Sequence, residues 1–471
     1  MNIKSCLYYL GLACFPISLM SLINIFYCFY FDYLSNVNSY VSVFILSLII
    51  GSFFFIFGKK NRENINIYDQ LFLVFLVYFF ISFLILIPFY FNDYSLTFIN
   101  SYFESISGIT GTGFTIFDQI KYLDPPILLW RSSSQWIGGF YFLIFIVLIF
   151  SNKQVNFKMV DLSFNLEKKI NFSSNIFAVT NRIFLIYLSL TIIIFSLFSL
   201  SGIRLFDSLN LSITVISSGG FLPTDHLDNI VKTNFQSLLL CLAFLFSILN
   251  FYLFYNIILK RDNFKQHNED LYIIVLMIIF STIFYFMNDL NLLAVFINVL
   301  SSIGNSGISM GQVPDNFGLY FIILTLFGGS IISTTSGLKF LRIYILIKSF
   351  FMEIYKLVKP NVMLNTKMMF SEKKINNENI KISFLIFILF FLSLFILSSI
   401  LLFDILDFEN SFKLSILTLT NTATSNIFGI EKIQFTELFT FSKISLIIFM
   451  VIAKVELLAI FILARKVFFK N

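Results

Sequence analysis

Charged residues are scarce in this sequence of 471 residues, where Asp, Glu, Lys and Arg together make up only 12%. A soluble domain typically carries roughly 25%. Hydrophobic residues make up 58% of the chain, and a water-exposed fold cannot bury so much apolar surface. The composition therefore excludes a soluble globular protein and predicts an integral membrane protein.

Cysteine, histidine and catalytic motifs are also lacking. The four cysteines lie in apolar segments without a CxxC pair, which favours helix packing over disulfide or metal chemistry. The two histidines, His226 and His267, lie in connecting segments without a partner ligand, so no resident metal is expected. A P-loop, a GxGxxG site and paired carboxylates are absent. We therefore do not expect an enzyme or an NTP-driven pump. An organic cofactor and a nucleic-acid partner are not expected either.

Long apolar runs are abundant instead, and each is long enough for a helix that crosses a bilayer. The first run continues past any clear cleavage site, which favours a retained helix over a signal peptide. Lys and Arg cluster in alternate connections, so these connections and both termini are predicted to be cytoplasmic. The ten predicted spans are 7–30, 40–57, 70–92, 127–150, 183–201, 236–259, 271–288, 319–348, 382–403 and 438–465.

Four outside connections share an unusual plan, in which a helix of about ten residues leads into a small polar cluster. Such a helix is too short to cross a bilayer, and irregular backbone at membrane depth must be buried or line an aqueous path. The clusters end the segments SYFESISGITGTG, LFDSLNLSITVISSGG, LLAVFINVLSSIGNSG and ENSFKLSILTLTNTA. This internal repetition predicts an all-α membrane protein with two N-terminal helices and four span–pore helix–filter loop–span repeats around a central ion pore with pseudo-fourfold symmetry.

The predicted division places the N-terminal helices in 1–62 and the four pore repeats in 63–165, 166–265, 266–370 and 371–471. Uncharged, Gly- and Thr-rich loops suit K+, because rings of backbone carbonyls can replace the hydration shell of this ion. Glycine permits the backbone dihedrals that such a ring needs, and helix C-termini favour a cation. The predicted ion-binding residues are Thr110, Gly111, Thr112, Gly113, Ser217, Ser218, Gly219, Asn305, Ser306, Gly307, Asn421, Thr422 and Ala423.

The stretches SYFESISGITGTGFT, LLWRSSSQWIGGF, LFGGSIISTTSGLKFLRI and IAKVELLAIF resemble the Trk/Ktr/HKT superfamily of potassium transporters. The two extra N-terminal helices resemble its TrkH-type membrane subunits. The resemblance implies K+ uptake across a bacterial inner membrane, a homodimer, and a TrkA-type cytosolic ring that binds nucleotide. It also implies one filter glycine per repeat, which maps to Gly113, Gly219 and Gly307, with Ala423 in the fourth place.

Residues 328–337, GGSIISTTSG, interrupt the predicted span 319–348. Small residues can serve close helix packing, but interrupted helices at the membrane midplane commonly line ion paths, and the resemblance implies a gate. The predicted gate residues are Gly328, Gly329, Ser330, Ser333, Thr334, Thr335, Ser336, Gly337 and Lys454.

Burial of ionisable or polar groups within a membrane costs free energy, so further groups of this kind within or next to the spans are expected to have a structural or functional role. Lys454 and Glu456 face different sides of the last span, and Lys454 is expected near the conduction path. Glu104 is expected to brace the filter or to attract cations, and Arg131 and Gln135 are expected to be structural ties.

Two further questions stay open from the residues. The basic segments 153–182 and 348–381 are candidate docking surfaces for a cytosolic partner, or carry only the cytoplasmic charge bias. The alternatives to K+ uptake are a Na+-permeable member of the same family, suggested by Ala423, and a secondary transporter of an organic solute.

Overall fold

The computed structural model describes residues 2–61, 66–91, 94–151, 176–259, 268–359, 366–369, 374–404, 406–430 and 433–455. Its α-helices are numbered here in chain order. They are α1 (Ile3–Tyr30), α2 (Val37–Gly58), α3 (Ile67–Tyr90), α4 (Phe98–Thr110), α5 (Pro125–Ser151), α6 (Ile176–Leu200), α7 (Leu205–Ile216), α8 (Asn234–Ile248), α9 (Phe251–Leu259), α10 (Asn268–Met287), α11 (Leu292–Ile303), α12 (Gly318–Phe327), α13 (Phe340–Val358), α14 (Asn377–Leu401), α15 (Phe408–Thr420) and α16 (Thr440–Val455).

The all-helical membrane fold expected from the sequence is confirmed. Six helices in the described residues are long and apolar enough to cross a membrane, namely α1, α2, α3, α6, α10 and α14. The other four predicted spans correspond to α5, to α16 as far as Val455, and to two spans that are each divided into two helices. The predicted boundaries between the five sequence units lie outside the described residues.

One of these divisions was predicted and the other was not. The break in the span 319–348 separates α12 from α13, and residues 328–339 between them are called the intramembrane loop below. The predicted continuous span 236–259 is wrong, because α8 ends at Ile248 and α9 begins at Phe251. Tertiary bonds replace helical ones there: the Ile248 carbonyl accepts a hydrogen bond from Ser330 N, and Asn250 N donates to Asp270 Oδ1.

The four repeats close into a ring. In each repeat the short helix (α4, α7, α11 or α15) packs against the long helix before it and the helix after it. That following helix also packs on the short helix of the next repeat, which gives the contacts α5 with α7, α8 with α11, α12 with α15, and α16 with α4. Helices α1 and α2 form a hairpin that packs on α3, and α1 also contacts α5.

Local sequence explains where several of these helices begin. Asn66 and Asp69 form a capping box at the start of α3, and Thr233 and Gln236 form another at the start of α8. The short helix α4 begins after Thr97, whose hydroxyl accepts a hydrogen bond from Asn100 N. In chain order, the C-terminal end of each short helix leads directly into a polar cluster.

Candidate functional site

Each short helix ends in the same closing hydrogen bond, in which a backbone N–H donates to the carbonyl five residues earlier, as in a Schellman motif. The donor and acceptor residues are Thr112 and Ser107, Gly219 and Thr214, Ser306 and Ser301, and Thr422 and Leu417, at 2.9–3.0 Å. The residue before each donor has a left-handed backbone, namely Gly111, Ser218, Asn305 and Asn421. We call residues 111–113, 218–220, 305–307 and 421–423 the polar turns.

This shared geometry sets the register between repeats and corrects one residue. The sequence-based alignment gave Gly219 the place of Gly113, whereas the closing hydrogen bonds align Gly219 with Thr112 and Gly220 with Gly113. Two consecutive glycines make the two alignments equivalent in sequence, and only the backbone distinguishes them. Gly219 instead packs against the side chain of Gln135, which would overlap a Cβ atom at that position.

The third residues of the four polar turns meet at one place. A Cβ atom built on Gly113 would lie 2.8 Å from Ala423 Cβ and 2.9 Å from Gly220 Cα. One built on Gly220 would lie 2.6 Å from Ser306 O, and one built on Gly307 would overlap the Ala423 carbonyl. Residues from all four repeats therefore converge around one centre, although they are far apart in the sequence.

The four converging residues do not share one backbone conformation. Gly113 and Gly307 have φ values of +78° and +68°, which favour glycine. Gly220 and Ala423 lie outside the left-handed region. The alanine of the fourth repeat therefore adds a methyl group to the centre without the backbone strain that a left-handed dihedral would impose.

Several hydroxyl groups of the predicted filter residues are bonded within their own repeats, mostly to the short helix that precedes the turn. Thr110 Oγ1 donates to Ile106 O at 2.7 Å and lies 2.8 Å from Thr112 Oγ1. Ser217 Oγ donates to Ile213 O at 2.9 Å, and Ser306 Oγ lies 3.0 Å from Ser301 Oγ. These bonds leave the backbone carbonyls, rather than the hydroxyls, as the groups that can face a cation.

A buried ion pair braces the segment that follows the polar turn of repeat one. Glu104 accepts hydrogen bonds from Arg131 Nε at 2.8 Å, Ile116 N at 2.9 Å and Thr115 Oγ1 at 3.2 Å. The Arg131 guanidinium also stacks on Phe221 of repeat two, 4.1 Å from the ring centroid. Both charged side chains are buried. These contacts fit the brace expected of Glu104 and the structural tie expected of Arg131.

The intramembrane loop lies against the polar turn of repeat two. Thr334 Oγ1 lies 2.9 Å from Ser218 Oγ, and it donates to Ile216 O at 2.9 Å or Ser247 O at 3.2 Å. Apart from the half-buried Gly337, all the predicted gate residues of the loop are buried. The loop therefore packs against the C-terminal end of α7, beside the break between α8 and α9.

Two lysines hold the loop. Lys339 has a left-handed φ of +69°, and its Nζ donates to Ser333 Oγ and Thr335 Oγ1, both at 3.1 Å. The hydroxyl of Thr335 in turn accepts a hydrogen bond from Gly329 N at 2.9 Å. In the sequence, the small residues indicate the interruption of the helix. The only local signal for Lys339 is its position directly after this run.

Lys454 lies where the last span reaches the loop and the turn of repeat one. Its Nζ lies 3.2 Å from Ser336 Oγ and 3.4 Å from Thr334 O, above the Phe142 ring at 4.4 Å. A Cβ atom built on Gly111 would be only 3.6 Å from the same Nζ. The predicted gate lysine is therefore buried beside both the loop and a polar turn, whereas Glu456 lies outside the described residues. Phe142, which the sequence did not single out, is a further contact of this lysine.

Comparison with known proteins found no matching family model. The chain is 24% identical over 410 residues to an uncharacterised cation transporter of Methanocaldococcus jannaschii. The aligned region spans 84% of this chain and 85% of the relative. It is 28% identical over 342 residues to the Trk system potassium uptake protein TrkG of Escherichia coli, which spans 68% of this chain and 70% of the relative.

The Escherichia coli protein TrkH of the same system is 25% identical over 353 residues, which span 70% of this chain and 72% of the relative. Among solved structures, the potassium transporter TrkH from Vibrio parahaemolyticus matches with a TM-score of 0.85 and 19% identity over 98% of both chains. At that identity the structural match establishes a common fold.

Proposed function

We propose that this chain, which is similar to the Trk system potassium uptake proteins TrkG and TrkH, is a TrkH-type membrane subunit of the Trk/Ktr/HKT superfamily that carries K+ into the cell across a bacterial inner membrane. It is a transporter and not an enzyme. The observation that carries the proposal is the convergence of Gly113, Gly220, Gly307 and Ala423 from four equivalent polar turns. Four uncharged turns around one centre supply the carbonyl ring that a dehydrated K+ needs.

The proposed ion-binding residues are those of the polar turns together with Thr110 and Ser217, which precede two of them. Each short helix directs its C-terminal end toward this region, and the partial negative charge of that end favours a cation. The proposed gate is the intramembrane loop with Lys454. Its support is the contact of Thr334 with Ser218 and the position of the buried ammonium beside Gly111.

The decisive experiment is growth rescue of a strain that lacks its own potassium uptake systems, on medium with little K+. Flux of Rb+ and Na+ into proteoliposomes is measured in parallel with the purified protein. We expect rescue and a larger flux of Rb+ than of Na+. Absence of both rescue and Rb+ flux, despite membrane expression and in the presence of its cytosolic partner, would refute K+ uptake.

A Na+-permeable member of the family is the second candidate, and Ala423 is the observation that favours it. The methyl group lies at the meeting point of the four turns and changes the ring that would otherwise consist of glycines. Equal flux of Na+ and Rb+ in the same proteoliposomes would favour this reading. A transporter of organic solutes has less support, because the ring is built from four small turns rather than around a substrate-sized cavity between two halves.

The assembly of the transporter is also part of the proposal. Similarity to the Trk system proteins favours a homodimer whose cytosolic side binds a TrkA-like nucleotide-binding ring, with both termini of the chain in the cytoplasm. The candidate docking segment 153–182 lies mostly outside the described residues, whereas α13 provides basic residues of the segment 348–381 such as Lys356. Copurification of the ring with the full chain, and its loss after neutral substitution of the segment 348–381, tests this docking surface.

A further inference from the structure

The left-handed residues of the polar turns of repeats three and four carry the same pair of side-chain contacts. Asn305 Nδ2 donates to Thr325 O in its own repeat at 2.8 Å and to Thr422 Oγ1 in repeat four at 3.2 Å. Asn421 Nδ2 donates to Met450 O in its own repeat at 3.0 Å and to Thr112 Oγ1 in repeat one at 2.9 Å. Each amide thus ties a turn to its own second span and to the next turn of the ring.

The equivalent links between repeats one and two and between repeats two and three are missing. Gly111 has no side chain, and Gly219, which takes the place of Thr112 and Thr422 in repeat two, has no hydroxyl. Ser218 points instead to Thr334 of the intramembrane loop, at 2.9 Å. Because the single proton of the Thr334 hydroxyl is donated to a backbone carbonyl, Ser218 is the donor in this contact.

The ring of turns is therefore held in two different ways. Repeats three, four and one are joined directly to each other by amide hydrogen bonds. The turn of repeat two is joined to the loop through Ser218. Lys454 of the last span lies beside Gly111, with its Nζ 3.6 Å from the position that a Cβ atom would take. The two positions without an amide are those where the loop and its lysine lie.

We propose that Asn305 and Asn421 are positioning residues that set the width of the filter, and that Ser218 is the joint through which the intramembrane loop holds the turn of repeat two. The proposal rests on the proposed function, since a filter and a gate are meaningful only in an ion transporter. It follows that movement of the loop releases one quarter of the filter while the other three stay tied. Opening then depends on Ser218 and ion selection on Asn305 and Asn421, although the three residues hold equivalent positions in their turns.

Glycine substitution at these positions gives matched variants, because glycine retains the left-handed backbone and removes only the side chain. For Asn305→Gly and Asn421→Gly we expect the ratio of Rb+ to Na+ flux in proteoliposomes to fall roughly fivefold, which corresponds to about 1 kcal/mol, the typical contribution of the one hydrogen bond that each amide makes to the neighbouring turn. For Ser218→Gly, which retains the backbone carbonyl of this proposed ion-binding residue, we expect a flux raised roughly fivefold without the cytosolic partner and a smaller change in the flux ratio than in the asparagine variants.

A double-mutant cycle identifies the joint. Thr334→Val removes the loop hydroxyl with little change in shape, and Ser218→Gly combined with Thr334→Val should raise the flux no further than either change alone. Additive effects of the two substitutions, or a flux ratio that is unchanged in both asparagine variants, would overturn the proposal. Reversal of the pattern, with selectivity lost in Ser218→Gly, would do the same.

Labelling of the loop tests the joint without transport. In a variant whose four native cysteines are replaced by serine, Ile332→Cys places a thiol in the loop. We expect thiol reagents to label it roughly fivefold faster after Ser218→Gly or Thr334→Val, and at the original rate after Asn421→Gly. Equal labelling rates in all variants would overturn the joint even if K+ transport is confirmed, and faster labelling would support it even if K+ is not the transported ion.

Discussion

Two buried polar assemblies lie close to the polar turns, and they are built differently. The Glu104 carboxylate accepts three hydrogen bonds, one of them from the Arg131 guanidinium at 2.8 Å, so its charge is compensated at short range. In the other assembly, Lys454 lies near a hydroxyl at 3.2 Å, a carbonyl at 3.4 Å and an aromatic ring.

The difference bears on the proposed division between a rigid support and a movable gate. Separation of a buried ion pair is expensive, because each charge would be left without its partner. A contact between an ammonium group and neutral dipoles can be exchanged for a similar contact with water at much lower cost. The brace around Glu104 therefore suits a rigid support for the proposed filter, and the intramembrane loop with Lys454 suits the proposed gate, an element with two positions.

The largest effect is expected from breaking the brace. Glu104→Gln leaves the buried Arg131 charge uncompensated, and we expect the protein to lose about 3–5 kcal/mol of stability. The thermal unfolding temperature in detergent and the yield of folded protein measure this loss.

Glu353→Gln is the matched control, because it removes an exposed ion pair with Lys356 that contributes at most about 1 kcal/mol. If both substitutions lower the unfolding temperature equally, the brace does not have the supporting role inferred here.

An intermediate effect is expected from a substitution at Lys454, which contacts the intramembrane loop. Lys454→Met retains a long side chain but removes the positive charge beside Gly111 and the contacts to Thr334 and Ser336. We expect Rb+ flux in the absence of the cytosolic partner to rise roughly tenfold, which corresponds to a change of about 1.4 kcal/mol in the gating equilibrium. Lys454→Arg retains the charge and should differ little from the unaltered protein. A flux unchanged by Lys454→Met would show that this lysine does not oppose conduction.

The smallest effect is expected at the centre where the polar turns meet. Ala423→Gly removes the methyl group that packs against Gly113 and Gly220, and we expect the ratio of K+ to Na+ flux to improve about twofold, or ~0.4 kcal/mol. Gly220→Ala is the opposite change, because its new methyl would overlap Ala423, and it should reduce transport. Equal selectivity in Ala423→Gly and the unaltered protein would mean that the fourth turn has no need of glycine.

Local patterns in the sequence were sufficient for the general architecture. Apolar runs predicted most of the spans, short half-apolar segments predicted α4, α7, α11 and α15, and the run GGSIISTTSG predicted the interruption between α12 and α13. These features depend on the composition of neighbouring residues, because length and hydrophobicity decide whether a helix can cross a bilayer.

The sequence determined by itself that this protein is an all-helical membrane protein with four repeats, each ending in a small polar turn. Only the tertiary structure decided that Gly220 rather than Gly219 joins the central ring, that the span 236–259 breaks at residues 249 and 250, and that Ser218 contacts Thr334. It also paired Asn421 with Thr112, residues 309 positions apart. Such pairings follow from how the four repeats close on each other, and no local pattern of neighbouring residues contains that information.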